Sequence, residues 1–206
     1  MGLVLYVDAL LESPYVMSAY VALAEKGQPF EVRAVDLRAG AQWQPGFAGP
    51  TLTARVPAIE HDGFWLSESL AIAEYLEEVF PAPALFPAGI RDRARARQLM
   101  GWLRSDLMAL REERPTSTIF GARATEPMSA AARSSADKLV RVATTVLGER
   151  DGLFERFTLA DVDLALMLHR LIANDDPIPD PLRRFAVTVF ERPSVRAYLA
   201  LRPVSG

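Results

Sequence analysis

The segment Ala54-Arg55-Val56-Pro57-Ala58-Ile59-Glu60-His61, followed by Asp62-Gly63 and then Phe64-Trp65-Leu66-Ser67-Glu68-Ser69, decides the fold. Two short apolar runs joined by Asp-Gly spell a β-hairpin, because that dipeptide tolerates the positive φ angles of a two-residue turn. Ser67-Glu68-Ser69 then opens a helix with Leu70, Ala73, Leu76 and Val79/Phe80 on one face. Upstream, residues 38–50 read as a loop-rich connection. Phe30 to Val35 comes close to strict alternation and reads as a strand. Before it, Ser13-Pro14 starts a helix, with Ser as N-cap and Pro at the first helical position, where a missing N–H costs nothing. Val16, Tyr20, Leu23 and Ala24 recur at helical spacing, and Gly27 ends the run. Leu3 to Val7 is a short β-prone stretch suited to a buried strand.

The order is β-α-β, a connection, then β-β-α. It is the thioredoxin-like plan, and a parallel right-handed crossover is the usual form of its first half. Pro81, Pro83 and Pro87 exclude regular helix or inner strand and mark a linker over residues 81–89. Beyond it no strand pattern is evident. Helix is expected over 91–114, 128–148, 159–173 and from Pro181 to the end, with breaks at Pro115, Pro127, Pro177 and Pro193. The sequence predicts an α/β thioredoxin-like N-terminal domain over 1–80 and an all-α C-terminal domain over 90–206, a division that suits a 206-residue chain.

Composition removes several function classes. Twenty-three basic against 26 acidic residues give a net charge of −3, so no global field is available to hold nucleic acid. With no cysteine, the chain has no disulfide and no thiolate metal site, and any sulfur chemistry must use a thiol that arrives with a ligand. His61 and His169 lack a second His or Cys at ligand spacing, so no metal is expected. Walker, dinucleotide and nucleophile-elbow motifs are absent. The start of the chain has no basic leader, and no apolar run approaches the ~18 residues that span a bilayer; a cytoplasmic protein without membrane contact is expected. Arg91, Arg93, Arg95 and Arg97 alternate with Asp92 and Ala and read as a solvated helix face.

Three linked motifs carry a family resemblance: Ser13-Pro14-Tyr15 with Ala22 to Gly27, Arg55-Val56-Pro57-Ala58-Ile59, and Leu66 to Leu76. In this order they resemble the N-terminal domain of the glutathione transferases, on the serine-using branch with its tau- and zeta-like bacterial members. In the second half, Thr158 to Val162 resembles the family's helix-capping motif and Arg192 to Val195 its C-terminal segment. The resemblance implies glutathione as co-substrate, a small electrophile as second substrate, and a homodimer. It also implies roles. Ser13 would donate its hydroxyl hydrogen to the glutathione sulfur. Val56-Pro57 would form a cis-proline turn whose backbone pairs with the cysteinyl residue, Arg55 would lie beside the glycyl carboxylate, and Glu68-Ser69 would hold the γ-glutamyl end.

The residues support this chemistry and also allow plainer readings. A hydroxyl at a helix N-terminus, with unpaired N–H groups and a positive dipole end, favours a thiolate, yet the same Ser13 is a good N-cap. Tyr6 and Tyr15 are rival hydroxyls, Tyr6 reading more simply as strand core. Arg55 also suits an exposed surface position, and Glu68-Ser69 a cap with an acidic first turn. Thr158 and Asp161 read as a capping pair for a buried helix. Tyr15, Trp102, Met108 and Arg111 are the candidates for an electrophile pocket, although Trp102, Leu103, Met108 and Leu110 also suit a core or dimer contact; Arg111 and Arg114 stay ambiguous. The function expected is thiolate stabilisation for attack on an electrophile, with peroxidase or disulfide-exchange activity as variants. The alternatives are a non-catalytic adaptor or stress regulator of the same fold, and a glutathione-dependent isomerase.

Overall fold

The computed structural model describes residues 2–202. Its elements run β1 Leu3–Asp8, α1 Pro14–Glu25, β2 Glu31–Val35, α2 Pro45–Thr51, β3 Ala58–His61, β4 Phe64–Ser67 and α3 Ser69–Val79, then α4 Ile90–Ser105, α5 Met108–Glu113, α6 Thr116–Phe120, α7 Ala130–Leu147, α8 Leu159–Ile172, α9 Asp180–Phe190 and α10 Pro193–Ala200. They form two compact units: the chain up to Leu85 together with the segment from Ser194, and the chain from Phe86 to Pro193.

The first unit has a four-stranded sheet in the order β2-β1-β3-β4. β1 and β2 run parallel and the other pairs antiparallel. Asp62 at φ 50° and Gly63 at φ 86° make the tight turn between β3 and β4, both positive as a two-residue hairpin requires. α1 packs against α3. Val16, Met17, Val21 and Leu23 of α1 and Ile72, Ala73 and Leu76 of α3 are fully buried, as is Leu5 of β1, each large side chain contributing about 1.5 to 3 kcal/mol. A second cluster forms around Val35, Phe47 and Ala58. There Tyr6 stacks on Trp65 at 4.7 Å and meets Phe47 edge-on at 5.6 Å.

Residues 38–50 are more ordered than their composition suggests. Ala41–Trp43 forms a 3-10 turn and α2 follows, entered through Pro45. Phe47 is buried and anchors the short helix by its apolar ring, an effect that Gly46, Gly49 and Pro50 mask in a propensity reading. The proline-rich stretch after α3 is tied down by charge. Lys26, with its side chain fully buried, donates to Glu77 Oε2 at 2.6 Å and to the Pro83 carbonyl at 2.7 Å. The same Glu77 oxygen accepts the Leu85 N–H at 2.9 Å.

The second unit is helical, and α8 is its central element: Val162, Leu164, Ala165, Leu168 and Leu171 are all essentially inaccessible. Its start is fixed by Asp161, whose carboxylate accepts the N–H and hydroxyl of Thr158, both at 2.8 Å, and the Leu153 N–H at 3.0 Å. Burial raises the Asp161 pKa, and those hydrogen bonds oppose the rise. The helix expected over 91–114 is broken. Asp106 is extended and Leu107 left-handed at φ 65°, so the run divides into α4 and α5. No Gly or Pro signals this break; the Asp106 carboxylate stabilises it by accepting Trp102 Nε1–H at 2.8 Å, the Leu107 N–H at 2.7 Å and Lys138. These donors, Lys138 foremost, hold the Asp106 carboxyl at about 2. Arg114 is structural: it makes a forked pair with Asp176 at 2.7 and 3.2 Å. The C-terminal run forms two helices, α9 and α10, divided just before Pro193 where a break is expected, and residues 203–206 lie outside the described residues.

Candidate functional site

Register brings the N-terminal motifs together. Asp8, the last residue of β1, pairs with Val35 at the end of β2, while Tyr6 pairs with Ala58 at the start of β3 and Ala58 with Ser67 at the end of β4. The turn leading to Ser13, the Val56-Pro57 peptide and the Glu68-Ser69 entry to α3 therefore leave the sheet at the same end. Such an end, with two helix N-termini behind it, concentrates unpaired N–H groups and suits an anionic ligand.

Ser13 caps α1. Its Oγ accepts the Val16 N–H at 3.3 Å, and Pro14 follows at the first helical position. Because the oxygen accepts in this bond, the hydroxyl hydrogen remains available to a ligand. The approach to Ser13 is organised by Asp8, whose carboxylate accepts the N–H groups of Glu12 at 2.7 Å and Ser13 at 3.2 Å. Leu11 stands at φ 52°, its N–H bonded to the Asp8 carbonyl at 3.0 Å. Its own carbonyl accepts the Tyr198 hydroxyl at 2.8 Å. The sequence reading missed both Asp8 and Tyr198. An Asp five positions ahead of the cap was a usable turn signal, whereas nothing local marks Tyr198.

The Val56-Pro57 peptide is cis. Val56 is half-buried and Arg55 exposed. The preceding chain is pinned to β4: Ser67 Oγ donates to the Thr51 carbonyl at 2.7 Å and lies 2.9 Å from Thr53 Oγ1. Glu68 caps α3 through its backbone at φ 72° and ψ 114°, without a side-chain cap bond, and is exposed, while Ser69 is buried at the first helical position. A glutamate in that region costs about 1 to 3 kcal/mol, and such strain concentrates where ligands are held.

Tyr6 is committed elsewhere. Its hydroxyl donates to Glu60 Oε2 at 3.0 Å and receives Arg33 at 3.4 Å, and burial, with Glu60 adding to it, raises its pKa. Tyr15 is half-buried in the first turn of α1. In the second unit Trp102 lines a groove of about 230 Å³ between α4 and α7, with Arg95, Gln98, Leu99, Val142 and Val146. Met108 is exposed, and Arg111 donates to the Arg104 carbonyl at 3.0 Å; neither lines that groove.

His61 Nδ1 lies 2.8 Å from the Tyr75 hydroxyl, and His169 Nδ1 lies 2.9 Å from the Ala165 carbonyl. Among the described residues no group of three or more His, Cys, Asp or Glu is disposed to hold a metal ion, and no helix is long and apolar enough to cross a membrane.

Comparison with known proteins agrees with this geometry. Residues 12–79 match the glutathione S-transferase N-terminal domain model and residues 89–203 the glutathione S-transferase C-terminal domain model. Among curated proteins, glutathione S-transferase theta-3 of Mus musculus is 35% identical over 103 residues, 50% of this chain and 42% of the mouse protein. Maleylacetoacetate isomerase of Dictyostelium discoideum is 39% identical over 92 residues, 44% of this chain and 42% of that protein. The chain thus spans under half the length of the curated relatives it matches. A glutathione transferase homolog from Burkholderia BGR1, solved with bound glutathione, is 42% identical with a TM-score of 0.81, covering 97% of both chains. A glutathione S-transferase from Rhodospirillum rubrum F11 is 27% identical with a TM-score of 0.78, covering 98% of this chain and 94% of that one. Two domain models in sequence order, with a full-length structural relative at that identity, establish that the chain belongs to the glutathione S-transferase family.

Proposed function

We propose that this protein is a glutathione transferase in which Ser13 stabilises the thiolate of bound glutathione for attack on a small electrophile. The observation that carries this reading is the convergence at one sheet end of a serine-capped helix, the Val56-Pro57 peptide and the Glu68-Ser69 helix entry. Ser13 donates a hydrogen bond to the sulfur, and the N-terminus of α1 adds its dipole. The thiol proton leaves to solvent, and the sulfur lone pair forms the new bond to the electrophilic carbon while the leaving group departs with its electron pair. Val56 pairs through its backbone with the cysteinyl residue, and Arg55 faces the glycyl carboxylate. Glu68 pairs with the α-ammonium, and the N–H and hydroxyl of Ser69 receive the γ-glutamyl carboxylate. An adaptor without chemistry has no need of all three segments.

The same proposal includes the serine-using branch of tau or zeta type, domains over 1–80 and 90–206 joined by residues 81–89, a homodimer and a cytoplasmic setting. Trp102, Met108 and Arg111 of the second unit and Tyr15 of the first are each candidates for contact with the electrophile. Glutathione-dependent isomerisation is the second reading, favoured by the isomerase relative named above. Turnover against an aryl halide, an organic hydroperoxide, a mixed glutathione disulfide and an unsaturated diacid separates these activities. Silence with all four, in a protein that still binds glutathione, would support the adaptor instead.

A further inference from the structure

We infer that Tyr198 is a positioning residue for Ser13, acting from the last helix on the turn that delivers the catalytic hydroxyl. The inference rests on reading Ser13 as the donor to the thiol.

The turn from Asp8 to Ser13 has no regular hydrogen-bond ladder of its own. It is held from one side by Asp8, whose carboxylate accepts two successive N–H groups, those of Glu12 and Ser13. Two acceptors on one short carboxylate fix the backbone of Ser13, and the Leu11 N–H is bonded to the Asp8 carbonyl at 3.0 Å, which leaves the Leu11 carbonyl as the group of the turn to be oriented otherwise. Leu11 is a buried, γ-branched residue at φ 52°, a conformation that L-residues leave unless their surroundings hold them in it. The bond from Tyr198 to its carbonyl, at 2.8 Å, supplies that hold.

Tyr198 is well built for the task. It has no accessible surface, its ring lies 5.4 Å from that of Tyr20, and Tyr20 in turn meets Phe30 edge-on at 5.3 Å. α10 is also tied to the far end of α1 through the bond from Ser194 Oγ to Glu25. The helix therefore grips α1 near its last turn and the incoming chain just before its first. Burial, together with the charge of Asp8 and the smaller contribution of Glu12, pushes the Tyr198 phenol far above its ordinary range, while Arg202 opposes the shift weakly. It remains a neutral donor under all working conditions. A phenylalanine would fill the same space without the bond to the Leu11 carbonyl.

Releasing that carbonyl lets Leu11 relax and turns the chain that carries Ser13, while the contacts assigned to glutathione at Val56, Glu68 and Ser69 lie on other elements. The consequence is specific: the sulfur loses its donor and the tripeptide keeps its grip. Displacement of a reacting group by a fraction of an ångström to 1 Å is enough to lose rate by one to two orders of magnitude.

The test measures the ultraviolet absorbance of the bound thiolate against pH, the rate with an aryl halide and glutathione affinity by calorimetry. The proteins are wild type, Tyr198→Phe, Tyr198→Met, Ser13→Ala and the Tyr198→Phe/Ser13→Ala double variant. Tyr198→Phe should raise the thiol midpoint toward that of Ser13→Ala and lower the rate about tenfold, with affinity within about twofold of wild type. In the Ser13→Ala background it should add no further shift. If Tyr198→Phe does not fold, Tyr198→Met, which likewise fills the site without a donor, carries the test with the same expected shift. A lowered melting temperature with an unmoved midpoint would reduce Tyr198 to a packing residue and overturn the inference. An equal shift with and without Ser13 would also overturn it. If Ser13→Ala itself leaves the midpoint in place, serine catalysis fails and this inference with it; a shift in Ser13→Ala alone refutes only the inference.

Discussion

Acid should destabilise this protein through His169 before most of its carboxylates titrate. The ring is half-buried on α8, stacked on Phe190 of α9 at 3.5 Å and bonded through Nδ1 to the Ala165 carbonyl. Burial foremost, with the charge of Arg183 adding a smaller part and the Ala165 bond opposing, lowers its pKa from 6.5 to about 4. The unfolded chain takes up the proton near the ordinary value and the folded one does so only near 4, so stability falls as pH drops from about 6.5 to about 4 and is fully present above 6.5. The gap corresponds to about 3 kcal/mol, a large share of the 5 to 15 kcal/mol (roughly) that holds a domain together. Denaturant unfolding of wild type and His169→Gln across this range isolates the effect, since titration of the carboxylates is common to both. His169→Gln should start less stable at neutral pH, having lost the ring stacking, and the difference should shrink or reverse toward pH 4. Parallel profiles would show that His169 does not carry the acid sensitivity.

Glu68→Ala should weaken glutathione binding by roughly 1.5 to 3 kcal/mol, the loss of one charge-assisted contact to the ammonium; calorimetry showing unchanged affinity in the folded variant would restrict Glu68 to shaping the helix entry. Lys26→Met leaves the Glu77 carboxylate without its cation beside a fully buried site, and should cost about 3 kcal/mol or more in unfolding free energy. A loss under about 1 kcal/mol would mean that Glu77 finds water or takes up a proton at little cost.

Strong local chemistry made most of the first unit readable. Asp62-Gly63 marks its hairpin by the two positive φ angles it adopts, and Ser13-Pro14 marks α1 by the cap and first-turn proline that are both observed. Elements held by tertiary contacts were not readable in the same way. α2 depends on burial of Phe47 and carries Gly46, Gly49 and Pro50, so its propensity argues against it. The break at Leu107 follows from a carboxylate that gathers Trp102, its own neighbour and Lys138 from another helix. The meeting of Ser13, Val56, Pro57 and Ser69 at one sheet end follows from linked motifs on adjoining elements, while their roles toward glutathione stay part of the proposal. Tyr198 was not legible, because its partner Leu11 lies 187 residues away and nothing periodic connects them.

The central claim is that the Ser13 hydroxyl stabilises a thiolate, and the most direct measurement is the pH dependence of thiolate absorbance in the glutathione complexes of wild type and Ser13→Ala. The wild-type midpoint should fall between about 6 and 7, below the ~8.5 of a free cysteine thiol, and return toward that value in Ser13→Ala with glutathione affinity nearly unchanged. Loss of an N-cap alone costs about 1 kcal/mol of stability and leaves the midpoint where it was. A Ser13→Ala protein that is somewhat less stable but keeps the wild-type midpoint and rate would contradict the account and turn attention to Tyr15 or a backbone N–H at the start of α1.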